Sequence, residues 1–181
     1  MDQPDIIHAG LLLRRYSNAD AEQLTAAVLE SVASVGPWLP WCTADFSIDH
    51  SLSWFELCAS QLAAGTAFEY GIFCHQSGKL LGGAGLNDIR QRHKLCNLGY
   101  WVRQSAQGQG VASRAVQALA ARAFRELGLQ RVEIVVAVGN TASEAVALKS
   151  GAVREGIARN RVQIGERSMA AHMFSLVPDQ A

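Results

Sequence analysis

The stretch Leu98-Gly99-Tyr100-Trp101-Val102-Arg103-Gln104-Ser105-Ala106-Gln107-Gly108-Gln109-Gly110-Val111-Ala112-Ser113 leaves this chain few ways to fold. An apolar, strand-like run ends in a short polar loop of small residues, and helical spacing of apolar residues begins directly behind it. Gly108 and Gly110 let backbone N–H groups approach a ligand closely. The free N–H groups and positive dipole end of the helix that follows favour an anion such as phosphate. Ordinary strand-to-helix turns also carry Gly-x-Gly, so the flanking chain decides its meaning.

Behind the loop, Val116, Leu119, Ala120, Ala123, Phe124 and Leu127 keep helical spacing up to Gly128, which is placed to cap the helix. Arg131 to Val138 is almost continuously apolar and β-branched, as in a strand buried on both faces. Strand, helix and strand predict a right-handed βαβ unit with two parallel strands. Asn140-Thr141-Ala142-Ser143 opens a last short helix that Gly151 closes. Ligands of open α/β sheets bind beyond the carboxyl ends of the strands, where residues 107–113 and 140–143 would both lie.

The N-terminal half prepares this unit. Ile6 to Arg15 reads as a first strand around Leu11-Leu12-Leu13. Ser17 to Asp20 then caps a helix with Leu24, Ala27, Val28, Ser31, Val32 and Val35 on one face, ended by Gly36-Pro37. In Trp38-Leu39-Pro40-Trp41 two indoles flank a proline, which suits either a packed corner or a wall facing substrate. A second helix carries Leu52, Phe55, Ala59, Leu62 and Ala63 and stops at Ala64-Gly65. Phe68, Tyr70 and Ile72, the turn at residues 76–79 and Leu80 to Leu86 make an antiparallel hairpin, with glycines at 82, 83 and 85 that mark a bulge or a close backbone approach. Asn87 to Lys94 reads as a charged connection. Val153 to Ala158 and Met169 to Val177 finish the sheet, joined by a basic loop at Arg159-Asn160-Arg161.

Composition narrows the function classes. With 181 residues the chain fits one domain over 1–181. It carries 16 Lys+Arg against 16 Asp+Glu, a balance that disfavours nucleic acid as the main partner. No apolar run approaches the roughly 18 residues of a membrane span, and residues 1–5 lack the basic start of a signal peptide, so a cytoplasmic location is expected. Cys42, Cys58, Cys74 and Cys96 form no Cys-x-x-Cys pair and have no His at ligand spacing; buried free thiols are expected, and no metal.

Together these residues resemble the GNAT superfamily of acyl-CoA-dependent N-acetyltransferases, specifically its RimJ/RimL-like branch, over nearly the whole chain. Gln107, Gly110 and Ala112 fit the family's Gln/Arg-x-x-Gly-x-Gly/Ala loop. Leu98 to Val102 before it, Arg131 to Ile134 after the helix, and Asn140-x-x-Ser143 followed by Lys149 to Gly156 also match. Trp38 to Trp41 resembles the tryptophan-containing corner of the ribosomal-protein acetyltransferases. The resemblance implies a single-domain α/β (α+β) fold with a mixed, mostly antiparallel sheet. Its central parallel pair would splay at the cofactor site between flanking helices. Acetyl-CoA would be the cosubstrate, its pyrophosphate held by Gln107, Gly108, Gln109, Gly110, Val111, Ala112 and Ser113. Its pantetheine would run along Tyr100, Trp101 and Val102, with Asn140, Ser143 and Lys149 completing the site; on the residues alone, Asn140 and Ser143 are equally a helix cap and a first-turn serine.

The implied chemistry is attack of a neutral amine on a thioester. Amines titrate at about 10, so a proton must leave first, and the departing thiolate needs a donor. Ala147 stands where many relatives carry a donor tyrosine, and the resemblance hands that role to Ser143. Asn97 stands at a position often held by a glutamate, and Ala170 at one often held by an aspartate. Glu69 on the hairpin is the candidate base, against the alternative of a solvated surface carboxylate. Trp38, Trp41, Tyr70, Asn87 and His172 are candidate acceptor-binding residues; for His172 the alternative is a satisfied core histidine.

The expected activity is therefore transfer of acetyl from acetyl-CoA to a primary amine, foremost a protein or peptide N-terminus, by direct attack in a ternary complex. A small-molecule amine is the alternative acceptor. A catalytically impaired acyl-CoA-binding module is a rival of another class, motivated by Asn97, Ala147 and Ala170. A dinucleotide-binding protein fits less well, because Gly108-x-Gly110-x-x-Ser113 lacks a third glycine. Homodimer formation is left open.

Overall fold

The computed structural model describes residues 3–178. Its centre is an eight-stranded sheet of β1 (Ile6–His8), β2 (Leu11–Arg14), β3 (Phe68–Cys74), β4 (Leu80–Arg90), β5 (Leu95–Val102), β6 (Arg131–Ala137), β7 (Val153–Ile164) and β8 (Arg167–Leu176). The spatial order is β1-β2-β3-β4-β5-β6-β8-β7, and β5–β6 is the parallel pair in an otherwise antiparallel ladder. Helices α1 (Ala21–Glu30), α2 (Val32–Val35), α3 (Ile48–Ala64), α4 (Val111–Arg125) and α5 (Thr141–Lys149) flank it.

Strand alternation sorts the core into two layers. Phe68, Tyr70 and Ile72 of β3 join Leu98, Val132, Ile134 and Phe174 beneath Val116, Leu119 and Ala123 of α4. The next residue of β3, Phe73, points the other way and packs with Leu80, Leu24, Val28 and Phe55 under α1 and α3.

Several sequence expectations need correction. Residues 6–15 form two short strands, because Ala9 (φ 46°) and Gly10 (φ 82°) turn the chain back on itself. The first helix breaks at Ser31, whose hydroxyl donates to the Ala27 carbonyl and accepts from the Gln104 N–H. Ala59 and Ala63 face solvent on α3. The charged segment after Leu86 is still strand: β4 pairs with β5 out to Arg90, with its register shifted after Asn87, where Asp88 adopts φ 48°. Arg159-Asn160-Arg161 lies inside β7, where Asn160 (φ 48°) sits in a register shift against β8. In β6, Val132, Ile134 and Val136 are buried while Glu133 and Val135 are half-buried, because α1 and α3 lie over β3 and β4 instead.

Candidate active site

The parallel pair is zipped for three residues only. Leu95, Cys96 and Asn97 pair with Arg131, Val132 and Glu133, and beyond them β5 and β6 diverge. Residues 98–102 and 134–137 thus border a cleft of about 860 Å³ that reaches the loop before α4 and the first turn of α5. Strand edges left unpaired in this way expose backbone donors and acceptors to whatever fills the gap.

At the anion end, Gly108 (φ 73°) and Gly110 (φ 72°) hold the left-handed conformation that favours glycine. The first helical bond runs from the Arg114 N–H to the Gly110 carbonyl, 3.2 Å. The N–H groups of Val111, Ala112 and Ser113 therefore have no acceptor within the helix and sit at its positive end. Gln107 folds back, its amide donating to the Val102 carbonyl (3.0 Å) and Ser34 Oγ (3.1 Å). The Gln109 amide instead donates to the Ser105 carbonyl (3.0 Å), and Gln109 does not line the cleft.

The end of α1 anchors this loop. Glu30 accepts from the Ser105 N–H at 2.7 Å and from Arg103 Nε at 3.1 Å, and the Arg103 guanidinium holds its carboxyl at about 2. Arg103 also donates to the Leu80 carbonyl, which ties the loop to β4.

Midway along the cleft, Asn140 Oδ1 accepts from the Ser143 N–H at 3.1 Å and caps α5. Tyr100 reaches across the splay: its hydroxyl lies 2.9 Å from the Ser143 carbonyl and 3.0 Å from Ser143 Oγ. Burial pushes the Tyr100 phenol up to about 12, so it stays a proton donor at neutral pH. Lys149 is exposed at the cleft rim. Arg161 to Ile164 of β7 also line the cleft, a contribution hidden while that segment read as a loop.

A second cavity, about 740 Å³, opens on the α1/α3 side of the sheet and shares Leu39, Pro40, Asn87, Gly99, Tyr100 and Trp101 with the first. Glu69 projects into it. Asn97 Nδ2 donates to Asn87 Oδ1 (2.9 Å), and Asn87 Nδ2 donates to Glu69 Oε1 (3.3 Å). Burial raises the Glu69 carboxyl above its ordinary 4.5, and the Asn87 bond opposes that rise. The opposing residue on β4 is Gly85, and a Cβ there would stand 1.9 Å from Glu69 Oε2. The glycine thus makes room for the carboxylate.

The other acceptor candidates separate. Trp41 lines this second cavity and meets Trp101 edge-on, ring centroids 5.5 Å apart. Trp38 lines the first cleft and lies beside Gly139. Tyr70 borders the second cavity but is 1% exposed, with its hydroxyl bonded to Arg122 of α4 and its ring in the core layer opposite Glu69. His172 lies 3.3 Å from Glu144 of α5 and borders neither cavity. Tyr16, Phe46 and Trp54, which sequence reasoning passed over, line the second cavity. They come from the loop after β2, the loop before α3 and α3 itself, outside the motifs that flank them. The four cysteines are free thiols, with Cys42 and Cys96 buried and Cys58 and Cys74 half-buried, and among the described residues no acidic, His or Cys cluster could hold a metal.

A sheet split at its parallel pair, with a glycine-rich helix N-terminus on one side and a carboxylate-bearing cavity on the other, defines a transferase that seats a phosphate-bearing donor against a second substrate. The chain belongs to the acetyltransferase (GNAT) domain family, whose model matches residues 10–153. The ribosomal-protein-serine acetyltransferase of Escherichia coli is 27% identical over 143 residues, covering 73% of this chain and 80% of that one. A solved structure of RimL, the ribosomal L7/L12 alpha-N-protein acetyltransferase, in complex with coenzyme A superposes with TM-score 0.87 at 26% identity, covering 97% and 99% of the two chains. A candidate ribosomal-protein-serine acetyltransferase from Vibrio cholerae gives TM-score 0.87 at 30% identity, covering 96% and 97%.

Proposed function

We propose that this chain transfers an acetyl group from acetyl-CoA to a protein or peptide N-terminal amine, by direct attack within a ternary complex. The observation that carries this reading is the meeting of the two cavities at Asn87, Gly99, Tyr100 and Trp101, with Glu69 in one and Ser143 in the other. The ribosomal-protein acetylation named for the relatives supports the choice of acceptor.

In this reading the N–H groups of residues 108–113 hold the pyrophosphate, and the free edge of Tyr100 to Val102, with Asn140 and Lys149, holds the pantetheine arm. Glu69, oriented by Asn87, takes the proton of the incoming ammonium, either directly or through one water. The amine nitrogen bonds to the thioester carbonyl carbon, the C–S bond breaks, the thiolate takes a proton from Ser143, whose hydroxyl Tyr100 supports, and the second proton leaving the nitrogen restores the Ser143 hydroxyl. Trp41 and Asn87 line the acceptor's approach. The reading takes the chain as one domain over 1–181 acting in the cytoplasm; among the described residues no helix is long and apolar enough to cross a membrane.

The test is release of free CoA thiol from acetyl-CoA in the presence of amines and N-terminal peptides. Turnover with peptides supports the reading, and tight CoA binding without turnover on any acceptor overturns it. Gly110→Glu, which puts a side chain and a negative charge into the anion loop, should abolish CoA binding; unchanged affinity would refute the loop assignment.

A further inference from the structure

We infer that the acceptor is a primary amine borne on a bulky apolar or aromatic body, read by the aromatic cavity that surrounds Glu69. The inference rests on the acetyl-transfer reading and narrows its substrate. Tyr16, Trp41, Phe46, Trp54 and Trp101 line that cavity, and Glu69 is the one carboxylate among its lining residues. None of those residues is a lysine or an arginine.

The aromatics hold one another in place. Trp41 packs edge-on to Trp101 and tilts against Phe46 at 6.3 Å, while Phe46 stacks on His50 at 5.4 Å. Tyr16 stacks on Phe55 at 4.9 Å, and the Trp54 side chain hydrogen-bonds its hydroxyl. The floor is cleared by glycines: a Cβ at Gly83 would stand 2.7 Å from both the Tyr16 hydroxyl and Trp101 Nε1. These rings therefore lie directly on the sheet beside the Glu69 carboxylate.

Such a wall selects by chemistry. Aromatic faces attract an ammonium group, and a single carboxylate matches a single positive charge. A polyamine would bring a second cation with no second carboxylate to meet it. An amine bearing a nearby carboxylate would bring an anion with no lysine or arginine to meet it. A small polar first residue such as serine would leave the apolar wall against water, whereas an aromatic side chain would bury on the order of 150–250 Å² there. Two sources share the required chemistry, a polypeptide beginning with a large apolar residue and a free arylalkylamine.

The experiment measures kcat/KM of the full chain, at saturating acetyl-CoA, for peptides that differ only in their first residue: Ser, Ala, Phe or Trp. Phenethylamine, ethylamine and spermidine form the second arm. Phe and Trp peptides should exceed the Ser peptide by about 100-fold, or phenethylamine should exceed ethylamine by a similar factor. The arm that responds identifies the source. Trp54→Ala should collapse the aromatic-to-serine ratio by about tenfold or more, and Trp54→Phe should restore most of it. A Ser peptide or spermidine used as well as the aromatic acceptors would overturn the inference while leaving acetyl transfer intact. No turnover with any amine would instead remove the reading on which it rests.

Discussion

The Tyr100 hydroxyl stands 3.0 Å from Ser143 Oγ, a contact that bridges β5 to the first turn of α5 across the gap in the sheet. The Tyr100 hydroxyl donates to the Ser143 carbonyl at 2.9 Å, which leaves its oxygen to accept from Ser143 Oγ and hold that hydroxyl at the cleft. If Ser143 supplies the thiolate's proton, Ser143→Ala lowers kcat by about 100-fold while CoA affinity changes little. Tyr100→Phe leaves Ser143 in place and removes only its support, so a smaller loss is expected. Steady-state rates with CoA titrations check both, and an unaltered kcat in Ser143→Ala removes that residue from the mechanism.

Glu69 should set the acid limb of the pH profile. As a base it must be ionised, so kcat/KM rises with pH through its folded value, which lies above 4.5. Glu69→Gln should lower kcat/KM by about 10²–10³-fold and erase that limb. The stability effect has the opposite sense. A carboxyl whose pKa is raised on folding binds more protons in the native state, so stability falls as pH climbs from 4.5 through the raised value. Glu69→Gln should therefore melt higher than the parent at neutral pH.

Gly85→Ala tests the same carboxylate from across the sheet. The backbone of β4 at this position tolerates a side chain, yet the new methyl would overlap Glu69 Oε2. The carboxylate has to swing aside. Activity should fall nearly as far as in Glu69→Gln, with an intact fold by circular dichroism and unchanged CoA affinity. Wild-type turnover in Gly85→Ala would show that the position of Glu69 is unimportant.

Glu30 should matter through the loop it anchors. Its carboxyl is held at about 2 by Arg103, against an ordinary 4.5. The stabilisation is present above 4.5 and is lost as pH falls through about 2. Glu30→Gln should cost about 1–3 kcal/mol at pH 7 and weaken CoA binding as residues 103–105 loosen. Thermal melts at pH 7 and pH 3 check the sign, since the gap between parent and variant narrows at the lower pH.

The glycine loop, the Asn140 cap and the strands that border the cleft were legible in the sequence because local rules determine them. Gly108 and Gly110 require positive φ, Asn140 caps a helix, and the run from Arg131 onward makes a strand, each within a few residues of chain. The cavity around Glu69 was legible only in part: Glu69, Asn87 and Trp41 could be named from the sequence, but register is what brings them together. Glu69 faces Gly85, and Asn87 faces Asn97, only through the pairing of β3, β4 and β5. Tyr70, one residue from Glu69, falls on the other face for the same reason. Strand ends misled where positive-φ residues such as Asp88 and Asn160 sit in register shifts that sequence patterns read as loops.

Three rungs join β5 to β6, and past them the two halves of the sheet run apart. A donor that fills that divergence acts as a missing piece of scaffold as well as a reagent, and it stabilises the folded chain by RT ln(1 + [L]/Kd). If the acyl donor seats there as proposed, its supply would be coupled to the chain's resistance to proteases, and a shortage of donor would cost durability as well as turnover.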